Sequence, residues 1–406
     1  MLARLDGQVT LVSGAIPGER VRARIEGRRG GVLFATTADV LDASPDRRAS
    51  GDDPACGGRS FAHIAAPRQR ALKAEIVADA FRRLGRMALP AAPPVHASPE
   101  DGYRMRARLH VSGSAIGFYR EGTHTLCDPA CTRQLLPETT GVLAALSERL
   151  ARVGLSDGRS LELAENRDAS GRALYLEIGS ATPASRLAGL FDLPGVTGLG
   201  VAHDGRPLAA TGSSRVADRL DLADGGARAV LHLARHVTGF FQGNRHLLQT
   251  LVERVLALIP PGPVTDLYAG VGLFGLAHAA LGRGDVIAVE GDRQSIEDLQ
   301  ENAAPYDDRV RVEPRAVEAA LGEGATLGGR TTVVDPPRTG LSRQAMEALT
   351  TLGPPRIVYV SCDVATLARD ARRLVEAGFE LATVELFDLF PSTPHVETVA
   401  SFVRRD

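Results

Sequence analysis

No apolar run in the chain approaches the ~18 uninterrupted residues of a membrane span, and the opening MLARLDGQVT lacks the apolar core of a signal peptide. These absences lead us to expect a cytoplasmic protein with no membrane partner. Cysteine is scarce: Cys56, Cys127, Cys131 and Cys362 are the four in 406 residues. Without an export signal they argue against a disulfide framework, so four separate thiols are expected. Lysine is scarcer still, since Lys73 is the one lysine among 47 basic residues. A formal net charge of −2 provides no overall positive field, so a polyanion would have to be held by a local basic patch. What the chain does have is length and 44% hydrophobic content, enough for two or three cores. No obligate protein partner is evident.

Three styles of sequence follow one another. Residues 1–48 read as short strands separated by Pro17-Gly18 and Gly30-Gly31, the pattern of a small OB-like barrel. Six arginines against three acids in the first 30 residues make it mildly basic and suited to nucleic acid. Residues 49–236 read as a mostly β central domain, apart from an amphipathic helix over 67–88 that is free to pack on the catalytic domain. Arg104, Arg106 and Arg108 alternate along one of its strands, so they can line one surface. From 237 to 406 the pattern becomes α/β, with strands expected at 263–268, 285–290, 309–312, 331–335 and 356–361. FELATVELFDLF and ETVASFVRR are too close for a crossover helix, so the last strand must run antiparallel. That ending distinguishes the Rossmann-like methyltransferase sheet from the dehydrogenase sheet.

The chemistry gathers at the carboxyl edge of this sheet, where open α/β folds bind ligands. Gly270, Gly272 and Gly275 let the backbone approach a ligand, and Glu290, twenty positions after Gly270, can accept from both ribose hydroxyls. Asp266 then decides between cofactors. It would repel a pyrophosphate but suits the ammonium and sulfonium of S-adenosylmethionine, which places an NAD dehydrogenase last. Cys362 ends an apolar strand and precedes a helix, whose dipole favours a thiolate. Methylation of a pyrimidine at C5 requires such a nucleophile at C6, together with a base for the C5 proton. Cys362 and Glu397 supply that pair. The segment Asp335-Pro336-Pro337-Arg338 has no aromatic residue to stack an amino-bearing base and no neighbouring cysteine, so uracil is expected rather than cytosine.

These residues carry a resemblance that spans nearly the whole chain. GAIPGERVRARI resembles a TRAM RNA-binding domain; FFQGNRHLLQ, DLYAGVGLFG, VVDPPRTGL, YVSCDVATLARD and FDLFPSTPHVET follow in the order found in the bacterial RNA uracil-5-methyltransferases. The resemblance implies Cys362 as nucleophile, Glu397 as base, cofactor contacts from Gln242, Tyr268 and Glu290, and Asp335 near cofactor and target base. It implies transfer or ribosomal RNA as the partner. Many relatives bind a [4Fe–4S] cluster through four thiolates. Here Ser50 and Arg59 stand at the first and third ligand positions, leaving Cys56 and Cys131, so the cluster is expected to be absent and no metal is assigned. SCDVAT also departs from the family's usual Ser-Cys-Asn-Pro-x-Thr. The rival readings are an RNA cytosine-C5 methyltransferase and an RNA-binding protein that holds S-adenosylmethionine without turnover.

Overall fold

The computed structural model describes residues 1–49, 55–89, 92–322 and 327–405. Its last section is the α/β unit expected from the sequence. Strands Val310–Pro314, Val286–Glu290, Val264–Leu267, Thr331–Val334 and Arg356–Ser361 lie side by side in that order and run parallel. Every residue of Val264–Leu267 and Thr331–Val334 is buried, which is why these strands read as continuous apolar runs rather than alternating ones. Glu397–Arg404 pairs antiparallel with Arg356–Ser361, and Phe379–Phe387 pairs antiparallel with Glu397–Arg404. The expected antiparallel closing strand is therefore present.

Three segments that precede residue 237 pack on this unit, among them the helix left free to do so. Helix Ala66–Arg83 buries Val77 and Phe81 among Leu367, Ala371 and Leu374 of helix Val364–Glu376, and Val95–His96 adds an eighth strand beside Phe379–Phe387. The hairpin Arg215–Asp224 and Ala227–His236 turns at Gly225-Gly226, both at positive φ, as tight hairpins require. Its Leu220, Leu222, Leu231 and Leu233 share a core with Leu248, Leu251 and Val252 of helix Leu248–Leu258. The catalytic unit therefore gathers chain from well before residue 237.

The remainder of the middle region is mostly β, as expected. Seven strands form one sheet, with Gly158–Glu165 at its centre between Arg172–Ile178 and Arg106–Ser112. Helix Pro137–Arg152 covers one face, burying Val142, Leu143, Leu146 and Leu150 against Leu109, Leu161, Leu163, Leu174 and Leu176. The first 48 residues form a four-stranded sheet, ordered Leu2–Leu5, Gln8–Ser13, Val32–Asp42, Arg20–Arg29. Among the described residues no pairing joins the two outer strands of this sheet. No helix among the described residues is long and apolar enough to cross a membrane.

Candidate active site

The glycine turn is built around one buried carboxylate. Asp266 is 1% exposed, and its Oδ2 accepts a 2.8 Å hydrogen bond from Gly275 N at the start of helix Leu273–Ala280. A Cβ at position 275 would lie 2.8 Å from that oxygen and 2.9 Å from Val286 Cγ1, so only glycine lets the helix sit this close to the sheet. Tyr268, Gly270 and Gly272 all take positive φ, which bends the chain out of strand Val264–Leu267 and into the helix. Glu290, at the end of the next strand, ties the turn down: its Oε2 accepts from Gly270 N at 2.8 Å, and its Oε1 accepts from Gly291 N and Asp292 N at 2.8 and 2.7 Å. The Tyr268 phenol is held far above its ordinary range by burial and by the Glu318 and Asp370 carboxylates.

Burial pushes the Asp266 carboxyl up to about 7, against the Gly275 N–H and with help from Glu290. Its Oδ1 is buried without a hydrogen-bond partner. Asp335, just past strand Thr331–Val334, is likewise raised by burial of its carboxyl and by Asp266, while Gln242 Nε2 donates to it at 3.4 Å. A buried carboxylate oxygen with no donor beside a second raised carboxyl is a donor set that a cation could complete. S-adenosylmethionine, with an ammonium and a sulfonium, fits that donor set, and a pyrophosphate does not.

Cys362 and Glu397 meet across the antiparallel pairing. Ser361 is opposite Thr398, so the next residue of one strand end faces the preceding residue of the other. Glu397 is 2% exposed, and burial and Asp335 hold its carboxyl well above the carboxylate range, opposed by Arg338. The half-buried Cys362 does not have the favoured thiolate expected from its helix. Burial, then Glu397 and Asp335, push it up to about 11, with Arg338 acting in the opposite direction. The Asp363 side chain caps the helix that follows, accepting from Thr366 N at 2.8 Å. Arg338, singled out in the sequence only as a missing aromatic, is the cation that opposes the raised values of both groups.

The three arginines of the central sheet are not equivalent. Arg104 donates to Gln134 Oε1 at 2.8 Å and to Arg106 O at 2.9 Å, and Arg106 donates to Gly239 O at 3.0 Å. Arg108 is the exposed member, 3.4 Å from Glu162. Arg106 also lies 6.0 Å from the ring of Phe240, a residue 60% exposed and two positions from Gln242. The expectation of four separate thiols is corrected: Cys56 and Cys127 are joined in a disulfide, their Cα atoms 6.0 Å apart. Sequence separation gave no hint, because the contact depends on residues 55–57 pairing with the edge of strand Ala115–Tyr119, where Gly57 N donates to Tyr119 O at 3.1 Å. Cys131 is an exposed free thiol. Arg59 is buried and donates to Thr132 O at 2.9 Å; Ser50 lies outside the described residues. One free thiol and an arginine do not fit an iron–sulfur cluster, and no group of three or more His, Cys, Asp or Glu among the described residues is arranged for a metal.

Residues 326–405 match the family model described as tRNA (Uracil-5-)-methyltransferase. The chain is 32% identical over 417 aligned positions to the 23S rRNA (uracil(1939)-C(5))-methyltransferase RlmD of Pseudomonas fluorescens, covering 99% of this chain and 90% of that protein. It is also 32% identical to an uncharacterized RNA methyltransferase of Streptomyces coelicolor, over 97% of this chain and 88% of that one. In fold it is similar to the crystal structure of Pyrococcus abyssi tRNA (uracil-54, C5)-methyltransferase in complex with S-adenosyl-L-homocysteine, with a TM-score of 0.74, 23% identity and coverage of 98% and 96%. With matches of this length and identity, the chain belongs to the RNA uracil-5-methyltransferase family.

Proposed function

We propose that the protein methylates C5 of a uridine in structured RNA through a covalent adduct between Cys362 and C6, with Glu397 as the base. The observation that carries this reading is the pairing of Ser361 with Thr398, which makes Cys362 and Glu397 neighbours at the ligand-binding edge of the sheet. S-adenosylmethionine supplies an electrophilic methyl group. Asp266, Gly270, Gly272 and Glu290 hold that cofactor, with Tyr268, Gln242 and Asp335 between it and the base. The Cys362 thiolate adds to C6 and shifts electron density onto C5, which takes the methyl group. The Glu397 carboxylate then removes the C5 proton; that electron pair restores the C5–C6 double bond, and the C6–S bond breaks to return the thiolate.

RNA is held by the N-terminal sheet and by the exposed Arg108, while Arg104 and Arg106, expected to join it, are engaged by Gln134 and Gly239 within the protein; the target uridine is turned out of its stack. Ribosomal RNA is the favoured substrate, because the 32% identical Pseudomonas relative acts on 23S rRNA. The test is nucleoside mass spectrometry of unmodified ribosomal and transfer RNA, each incubated with the protein and S-adenosylmethionine. 5-Methyluridine in the ribosomal pool is expected. 5-Methylcytidine, or full activity in Cys362→Ala, would overturn the reading.

A further inference from the structure

Lys73, the one lysine of the chain, takes no part in the chemistry above, yet it is wholly buried. Its ammonium group pairs with Asp388 and donates to Phe390 O at 2.9 Å. One turn earlier on the same helix, Gln69 Oε1 accepts from Ser392 N at 2.8 Å. Ser392 Oγ donates to Glu100 at 3.0 Å, and Phe61 N donates to Ser392 O at 2.8 Å. One helix face thus grips residues 388, 390 and 392 of the loop between the last two strands. Ser392 stands at φ 61, a left-handed conformation that persists in a non-glycine residue where its surroundings enforce it. Toward its end the loop is held by Val396, buried in the core of the α/β unit. His395 N is held by Thr393 Oγ1 within the loop at 3.2 Å, and Glu397 follows two residues later. A buried charge is costly to keep, and here it is placed on the loop that leads into Glu397, beside Asn244 Nδ2, which donates to Leu389 O at 3.0 Å.

We propose that Lys73 is a positioning residue for proton abstraction, holding the 388–396 loop through Asp388 and the Phe390 carbonyl so that the Glu397 carboxyl is set against the carbon it deprotonates. This rests on the assignment of Cys362 and Glu397 above. Replacing both members of the buried pair avoids stranding one charge, so Lys73→Met/Asp388→Asn is the principal variant. Asp388→Asn alone, which keeps an acceptor for the ammonium group, is the second.

The experiment follows methyl transfer to unmodified RNA, together with the covalent RNA–protein complex on denaturing gels and the melting curve of each variant. Glu397→Gln and Cys362→Ala are the references. In the double variant turnover falls on the order of 10- to 100-fold, the effect of a misplacement of about 1 Å. KM for RNA and for S-adenosylmethionine stays at the wild-type value, and the methylated covalent complex accumulates as it does in Glu397→Gln. Asp388→Asn moves the same way by less, and decides the matter should the double variant fail to fold. Wild-type turnover, or reduced turnover without accumulated complex, overturns the role of Lys73. Full turnover in Cys362→Ala overturns instead the chemistry on which it rests, so the two failures are distinguishable.

Discussion

The Cys362 thiol of the ligand-free protein should be unusually slow to react, and the size of the effect follows from its surroundings. A thiol pushed up to about 11 is ionised at pH 7 about once in 10⁴ molecules, against about once in 30 for an ordinary cysteine near 8.5. That is about 300-fold less thiolate. A more basic thiolate is also a better nucleophile, which returns about a factor of ten. Alkylation by iodoacetamide at pH 7 should therefore be about 30-fold slower than for a free cysteine. Peptide mass spectrometry counts Cys362 separately from the exposed Cys131. The rate should climb about tenfold per pH unit through pH 10 with no plateau near 8.5. Glu397→Gln and Asp335→Asn should move the profile to lower pH, and Arg338→Met to higher pH, because the first two residues raise the thiol and the third lowers it. A plateau between about pH 8 and 9 in the wild type, or a Glu397→Gln profile that does not move, would refute the account.

Asp266 predicts a pH-dependent gain in stability. Its folded value, near 7, lies above the ordinary aspartate value, so the stability it contributes is complete at about pH 4 and is lost as pH rises to 7, a loss on the order of 4 kcal/mol at most. Asp266→Asn, which can still accept from Gly275 N, should melt above wild type at pH 8 and not at pH 4, while binding S-adenosylmethionine more weakly; equal melting gains at both pH values would count against it. Glu165 is wholly buried, accepting from Thr139 Oγ1 at 2.7 Å and from Arg172 and Arg245. Glu165→Gln strands two buried guanidinium groups and should cost about 3–5 kcal/mol in urea unfolding; a loss below about 1 kcal/mol would mean that water reaches the pair. Gly275→Ala would stabilise an ordinary helix by about 1 kcal/mol, but a Cβ 2.8 Å from Asp266 Oδ2 reverses the sign here, to a cost of about 1–3 kcal/mol, read from thermal melting.

What could be read from the sequence was local. The parallel strands were legible because burial on both faces leaves long apolar runs, as in Val286–Glu290. The antiparallel ending followed from a linker too short for a helix. Where hairpin 215–236 packs was not legible because its alternation is the same whether its apolar face meets the central sheet or helix Leu248–Leu258; Leu231 and Leu233 meet the helix, and Val216 meets Ala164 and Ala173 of the sheet. Asp266, Glu290, Asp335 and Cys362 could be singled out as candidates because each lies at or just past the end of a strand, whereas Glu397 opens one and Gln242 came from the resemblance alone. Their ionisation was not legible. The helix after Cys362 argued for a thiolate, but the carboxylates that oppose it arrive from strands tens of residues away. Lys73 did offer a signal, as one lysine in a chain otherwise served by arginine, though its partner lies 315 positions away.

The raised values at Asp266, Asp335, Cys362 and Glu397 share one cause: groups that carry negative charge when ionised are gathered in a poorly solvated pocket. As it stands the site is suppressed, because burial and the neighbouring carboxyls disfavour the ionised form of both its nucleophile and its base. Each of those handicaps is lifted by nearby positive charge, since a cation favours the ionised form of every acid it faces. Arg338 provides one such charge, too weakly to ionise Cys362 unaided. On the proposed reading a sulfonium held against Asp266 and Asp335 would provide another, arriving only with the methyl donor. The same arrangement that makes the apo cysteine inert toward stray electrophiles would therefore couple its activation to cofactor binding. Thiolate and methyl donor would appear together, and an RNA adduct with nothing to methylate it would be disfavoured.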